Sequence, residues 1–176
     1  MKRIVAIGGS NSKKSINKTL AIYAANQLKN TETIVADLND FELPLFGVDL
    51  ETEIGIPEEA TRLNNLLESA DGLVISLAEN NGSYSTAFKN VFDWLSRINR
   101  QVWKGKPMLL MATSPGPRGG SRVLKTSMET FPLYQGNIIA NFSLPSFNDN
   151  FSKDSFTNEK LSTELNQKIN ILQEAI

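Results

Sequence analysis

A chain of 176 residues with a net charge of −1 is most simply one domain spanning residues 1–176, long enough to bury a substantial core. The near-neutral balance offers no electrostatic footprint for nucleic acid or an anionic membrane, and no apolar run approaches the roughly 20 residues that cross a bilayer. Histidine and cysteine are both absent, which excludes a Ser-His-Asp triad, a cysteine nucleophile, a disulfide and a thiolate zinc site. Absence of cysteine fits the cytoplasm, and the N-terminus lacks the layout of a secretory signal because Gly8 and Gly9 end its apolar run early. Carboxylate-only metal sites and carboxylate acid/base pairs stay open, but an enzyme of this composition is expected to borrow its chemistry from a cofactor, and no metal is expected.

Strand and helix patterns alternate along the chain. Residues 3–8 read as a buried strand. Ile16, Leu20, Tyr23, Ala24 and Leu28 then mark one helical face. Thr33 to Ala36 reads as a second strand, and 39–56 as a loop carrying Phe41, Leu43, Pro44, Leu45 and Phe46. Pro57 suits a first helical position, and Glu58 and Glu59 suit the positive end of a helix dipole. Leu63, Leu66, Leu67 and Ala70 continue that helix.

Gly72 to Leu77 is the third strand. A helix follows with Phe88, Val91, Phe92, Leu95 and Ile98 as a broad apolar stripe. Pro107 to Ala112 is the fourth strand, then a Gly-rich turn from Ser114 to Ser121, and a helix over about 122–131. Asn137 to Leu144 is the fifth strand, and Leu161, Leu165, Ile169, Leu172 and Ile176 lie in register on a last helix. Strands alternating with amphipathic helices imply an α/β fold with a mainly parallel sheet covered on both faces. Five such units point to a doubly wound, flavodoxin-like arrangement in strand order 2-1-3-4-5.

In such a sheet a ligand binds beyond the carboxyl ends of the strands where their order reverses, so the loops after strands 1, 3 and 4 should converge. Those three loops have the unusual compositions. The first runs from Gly8 to Asn17 into a helix start, and Ser10, Ser12, Ser15 and Asn17 add side-chain donors to unpaired backbone N–H groups. It is an anion cradle, best matched to a phosphate. The second is Glu79-Asn80-Asn81-Gly82-Ser83-Tyr84-Ser85, and the third runs from Thr113 to Arg122 with Ser114, Pro115, Gly116, Gly119 and Gly120. Glycines there let backbone approach a flat ligand, and asparagine amides read the polar edge of a heterocycle. Taken singly, each loop has a plainer reading: an ordinary N-cap at Ser15, a turn after strand 3, a structural turn at Gly119-Gly120. The P-loop pattern fails because its second glycine is Lys13 here, and G-x-G-x-x-G is absent after the first strand. A mononucleotide held by its terminal phosphate fits better than ATP, GTP or a dinucleotide.

These residues resemble the NADPH-dependent FMN reductase family. Gly9-Ser10 through Ser15-Ile16-Asn17 is similar to its G-S-x-R-x-x-S-x-N loop. Glu79 to Ser83, followed by Lys89-Asn90-Val91-Phe92-Asp93-Trp94-Leu95-Ser96-Arg97, resembles its P-E-Y-N-x-S stretch and K-N-A-I-D-W-L-S-R helix. Gly105-Lys106-Pro107 and the stretch from Ser114 to Gly120 resemble its G-K-P strand and Gly-rich loop.

The resemblance implies an FMN-dependent NAD(P)H oxidoreductase that passes hydride through FMN to a quinone, a flavin or a similar small acceptor. It implies no side chain acting as catalytic acid or base. Ser10, Ser12, Ser15, Ile16 and Asn17 would surround the FMN phosphate. Glu79, Asn80, Asn81, Gly82 and Ser83 would border the ribityl chain and ring, and Ser114, Pro115, Gly116, Gly119 and Gly120 would line the ring's other side. The family's loop arginine is Ser12 here, with Lys13 or Lys14 to compensate, and its tyrosine is Asn80. A homodimer or homotetramer is implied, with Phe88, Trp94 and the 41–46 loop as contact candidates. A non-enzymatic, flavodoxin-type electron carrier is the alternative, disfavoured by the nearly neutral charge.

Overall fold

The central strands are apolar almost without interruption because both of their faces are covered. In the computed structural model, which describes residues 1–176, the chain runs β1 (Lys2–Gly9), α1 (Ile16–Asn26), β2 (Thr31–Ala36), a 3₁₀ turn (Leu38–Asp40), α2 (Val48–Ile54), α3 (Glu58–Glu68) and β3 (Gly72–Leu77). There follow β4 (Glu79–Asn80), β5 (Ser83–Tyr84), α4 (Thr86–Ile98), β6 (Pro107–Thr113), α5 (Ser121–Thr130), a second 3₁₀ turn (Phe131–Tyr134) and β7 (Asn137–Leu144). The chain ends with α6 (Phe147–Asn150), β8 (Phe151–Ser152), β9 (Ser155–Phe156) and α7 (Glu159–Ala175).

Five strands form one parallel sheet in the order β2-β1-β3-β6-β7, the expected doubly wound order. Alternation along each strand sorts the core into two layers. Val5, Ile7, Leu73, Ile75, Met108 and Leu110 pack on one face with residues of α3, α4 and α5. Ile4, Ala6, Val74, Leu109 and Met111 pack on the other with α1 and α7. Ser76 shares the α1 face with Val74 and is fully buried, so its hydroxyl must find a partner there.

The register fixes the switch point. Pairing of β1 with β2 ends at Ile7↔Ala36, whereas pairing with β3 continues to Gly9↔Leu77. The chain leaves β1 beyond the shorter edge strand and turns directly into α1. A Cβ at Gly8 would lie 2.6 Å from Lys18 Cα, so only glycine lets the first turn of α1 pack this closely on the strand end.

Three expectations are corrected. The 39–56 segment is not all loop: it holds the 3₁₀ turn and α2. None of the residues of α2 is buried, with Val48 67% and Ile54 50% exposed, so no core-facing stripe marks it in the sequence. Second, the stretch after β3 is a hairpin, in which Asn81 and Gly82 both take positive φ (51° and 81°) between the paired β4 and β5. Third, Phe88 and Trp94 are not available as subunit contacts, being 2% and 0% exposed within the chain. Trp94 instead anchors the 41–46 loop: its Nε1 donates to the Pro44 carbonyl at 2.7 Å and its ring meets Phe46 edge-on at 5.1 Å. Asn90, one turn earlier, accepts from the Phe46 N–H at 2.7 Å and donates to the same carbonyl at 3.0 Å. Trp94→Phe keeps most of the packing and loses this hydrogen bond. Urea unfolding should show a loss of about 1–2 kcal/mol, and an unchanged midpoint would mean the bond adds nothing to stability.

Candidate functional site

The loop after β1 is built by its own hydroxyls. Ser12 N–H donates to Ser10 Oγ at 3.1 Å, and Ser15 N–H donates to the Ser12 carbonyl at 3.1 Å. Ser15 then caps α1, its Oγ accepting from Lys18 N–H at 3.1 Å. The N–H groups of Ile16 and Asn17, at the first helical positions, have no carbonyl one turn back to donate to. Together with the helix dipole they make the mouth of this loop favourable to an anion.

Three segments converge as the topology requires. Ser10, Ser12 and Lys14 to Asn17 after β1, Ala78 to Asn80 after β3, and Thr113 to Pro115 at the end of β6 enclose a cavity of about 260 Å³. Of the residues singled out from the sequence, Ser10, Ser12, Ser15, Ile16, Asn17, Glu79, Asn80, Ser114 and Pro115 line it. Lys14 is the one lysine or arginine on the wall, which distinguishes it from Lys13. Ala78 and Thr113, outside the set assigned to the cofactor, also line it; each is the residue where a strand meets its loop, and that position was the available signal. A second cavity of about 550 Å³ shares Asn80 as a wall and opens toward Asn11, Phe41, Leu43, Thr86 and Asn90.

The remaining residues of the set do not line this cavity. Asn81, Gly82 and Ser83 form the tip of the β4–β5 hairpin, with Gly82 against the Arg122 side chain. The Gly116 carbonyl accepts from the N–H groups of Gly119 and Ser146 at 3.2 and 2.9 Å. Gly119 lies against Leu144 and its carbonyl accepts from Ser143 Oγ at 2.9 Å, while Gly120 lies against Ala112 and precedes α5.

Two side chains on the cavity wall are committed to distant backbone. Glu79 Oε2 accepts from the N–H groups of Arg122 and Val123 at 2.9 and 3.2 Å. Gly120 gives α5 no side-chain cap, so the carboxylate of Glu79 serves as one from across the fold. Its charge is therefore directed at a helix N-terminus rather than left free beside the cavity. The Asn17 carboxamide is buried and bonds Thr113 and Ser76. Beneath the loop, Lys18 pairs with Asp37 at the end of β2.

The donor set suits a phosphate ester joined to a flat polar ring. Hydroxyls, first-turn N–H groups and one ammonium lie at the α1 end. The sole carboxylate on the wall accepts from two backbone N–H groups of α5, and loop backbone, the Asn80 amide and the Thr113 and Ser114 hydroxyls line the other end.

A family model described as NADPH-dependent FMN reductase matches residues 2–149, and the chain belongs to that family. It is therefore an oxidoreductase, with FMN as cofactor and NAD(P)H as co-substrate. Among curated proteins, a quinone reductase of Escherichia coli K12 is 32% identical over 154 residues, covering 79% of each chain. A 2-hydroxy-1,4-benzoquinone reductase of Burkholderia sp is 34% identical over 118 residues, 66% of this chain and 63% of that protein. Among solved structures, the flavoenzyme NAD(P)H:(acceptor) oxidoreductase FerB of Paracoccus denitrificans superposes with a TM-score of 0.75 at 24% identity, over 99% of this chain and 97% of that one, which shows the shared fold.

The Asp37 carboxyl gives the site's underside a pH signature. Burial alone would raise it, but hydrogen bonds from Lys18 and from the Asn39 backbone and side chain outweigh that and hold it below its ordinary value. A depressed carboxyl stabilises the fold fully above its unfolded pKa of about 3.9, and that contribution is lost as pH falls through the lower folded value. Asp37→Asn should flatten this acid limb in a pH series of thermal melts. An acid limb as steep as the wild type's would assign it to other carboxylates.

Proposed function

We propose that this chain holds FMN between the loops after β1, β3 and β6 and uses it to pass reducing equivalents from NAD(P)H to a small acceptor of the quinone or flavin class. The convergence of those three segments on one cavity, with Lys14, three serines and the first-turn N–H groups together at its α1 end, is the observation that carries the reading. The quinone reductase activities for which the Escherichia coli and Burkholderia relatives are named support the choice of acceptor.

Ser10, Ser12, Ser15 and the N–H groups of Ile16 and Asn17 would hold the phosphate, with Lys14 as the cation. Glu79, Asn80, Asn81, Gly82 and Ser83 would border the ribityl chain and one side of the ring, and Ser114, Pro115, Gly116, Gly119 and Gly120 the other. FMN, when bound, supplies a ring that takes hydride from a nicotinamide and gives it up to a second substrate. The chain supplies position: the hairpin and the 114–120 loop hold backbone against the ring edges, and the apolar layer beneath them keeps water from that side. No side chain needs to move a proton, and Glu79, the acid on the wall, is engaged with α5.

We assign the whole chain, residues 1–176, to one functional unit. We place it in the cytoplasm and expect a homodimer or homotetramer in solution. With Phe88 and Trp94 buried, the exposed apolar residues Leu45, Val48, Ile54 and Ile56 are the contact candidates.

The deciding measurement is the visible spectrum of protein loaded with FMN, freed of excess ligand and then treated anaerobically with NADPH or NADH. Retained flavin bands that bleach, and return when a quinone is added, are expected. A protein that retains no flavin and oxidises no nicotinamide in its presence would overturn the reading. Lys14→Ala should weaken FMN by about three- to tenfold, an exposed charge-assisted contact being modest, and leave riboflavin unchanged. Equal losses for both ligands in a fluorescence titration would remove Lys14 from the phosphate site.

A further inference from the structure

Asn17 stands at the second position of α1 and is only 2% exposed. Its side chain reaches across the sheet end to residues far away in sequence. Nδ2 donates to the Thr113 carbonyl at 3.1 Å, and Oδ1 accepts from the Thr113 N–H at 3.0 Å. The same Oδ1 accepts from Ser76 Oγ at 2.7 Å, and Ser76 is fully buried in β3. One carboxamide thus reads both backbone groups of a single residue, as a neighbouring strand would, while a hydroxyl from the central strand orients it. A carboxylate cannot donate to the Thr113 carbonyl, and an aliphatic side chain satisfies none of the three groups.

The consequence lies in where the two ends of this link sit. Asn17 closes the segment Ser10–Ile16, one wall of the cavity. Thr113 is the last residue of β6 and is followed at once by Ser114 and Pro115, the opposite wall. Thr113 is itself tied to β7, its Oγ1 donating to the Leu144 carbonyl at 2.7 Å. The spacing of the two walls is therefore set through one buried side chain that reaches from the end of the first wall to the strand end that carries the second.

We propose that Asn17 is a positioning residue that fixes the distance and register between the phosphate-holding wall and the ring-holding wall of the cleft. The proposal rests on the FMN reading above. A ligand with a phosphate at one end and a ring at the other behaves as a linked pair of weaker ligands: it binds tightly only where both half-sites stand at the right separation. Each half-site alone is indifferent to that separation. Ser76 acts one step further back, by orienting the amide.

The test titrates wild type, Asn17→Ala and Ser76→Ala apoproteins with three probes: FMN and riboflavin by flavin fluorescence, and inorganic phosphate by calorimetry. Asn17→Ala should weaken FMN by about tenfold or more while riboflavin and phosphate each change by less than about twofold. Ser76→Ala should show the same pattern more weakly, and it decides the matter if Asn17→Ala does not unfold cooperatively. Equal losses for FMN and phosphate, with riboflavin untouched, would make Asn17 a direct phosphate ligand and overturn the proposal. Parallel losses for all three probes would reduce it to a structural residue and overturn it as well. A wild type that binds no FMN would bring down the cofactor reading first, before any variant is compared.

Discussion

The first turn of α1 rests on the end of β1 with no room for a side chain: a Cβ at Gly8 would sit 2.6 Å from both the Cα and the N of Lys18. Everything at the candidate site depends on that approach. It brings the helix N-terminus over the point where the strand order reverses, which is where the dipole and the unpaired N–H groups are useful. It lets Ser15 cap the helix while still facing the cavity, and it carries Asn17 deep enough to reach β3 and β6. It also sets Lys18 against Asp37 at the end of β2. A bulkier residue at position 8 would tilt α1 away and loosen all of these contacts together.

The sheet was readable from sequence because doubly covered strands leave apolar runs that end at glycines, prolines and polar clusters. β3 matches the reading to the residue, and β6 extends it only through Thr113. Where burial supplies no pattern, the reading fails. α2 covers no core, so its residues alternate with no useful period and only Gly47 and Gly55 bracket it. The β4–β5 hairpin is a different case. Asn-Gly is the strongest short signal for a tight two-residue turn, and it was present at Asn81-Gly82, but strands of two residues each are too short to show alternation. On α4 the apolar stripe was read correctly as core, but Trp94 outside it looks the same in sequence whether a partner subunit or the chain's own 41–46 loop covers it.

At the site, topology made the meeting of the loops foreseeable, since strand order alone determines which carboxyl ends are neighbours. The uses of individual side chains were not. Glu79 and Asn17 were read as residues beside a ligand, and both do stand on the cavity wall. Their polar atoms are nonetheless matched to backbone 43 and 96 positions away. Such pairings depend on how helices settle on the sheet, which no local pattern of residue types encodes. The Glu79 carboxylate completes the unfinished start of α5, whose preceding Gly120 offers no side chain.

The three strands that carry the cavity, β1, β3 and β6, are the inner strands of the sheet, and β2 and β7 are its edges. Any opening that separates the inner strands also takes the cavity apart. A ligand bound there adds its free energy to those openings alone. The exposed α2 and the small β8–β9 hairpin can open without disturbing any wall of the cavity. Occupancy of the cleft therefore divides the amides of this chain into two populations: those of the sheet's centre exchange with solvent more slowly in proportion to ligand concentration, and those of the periphery exchange at the same rate whether or not anything is bound.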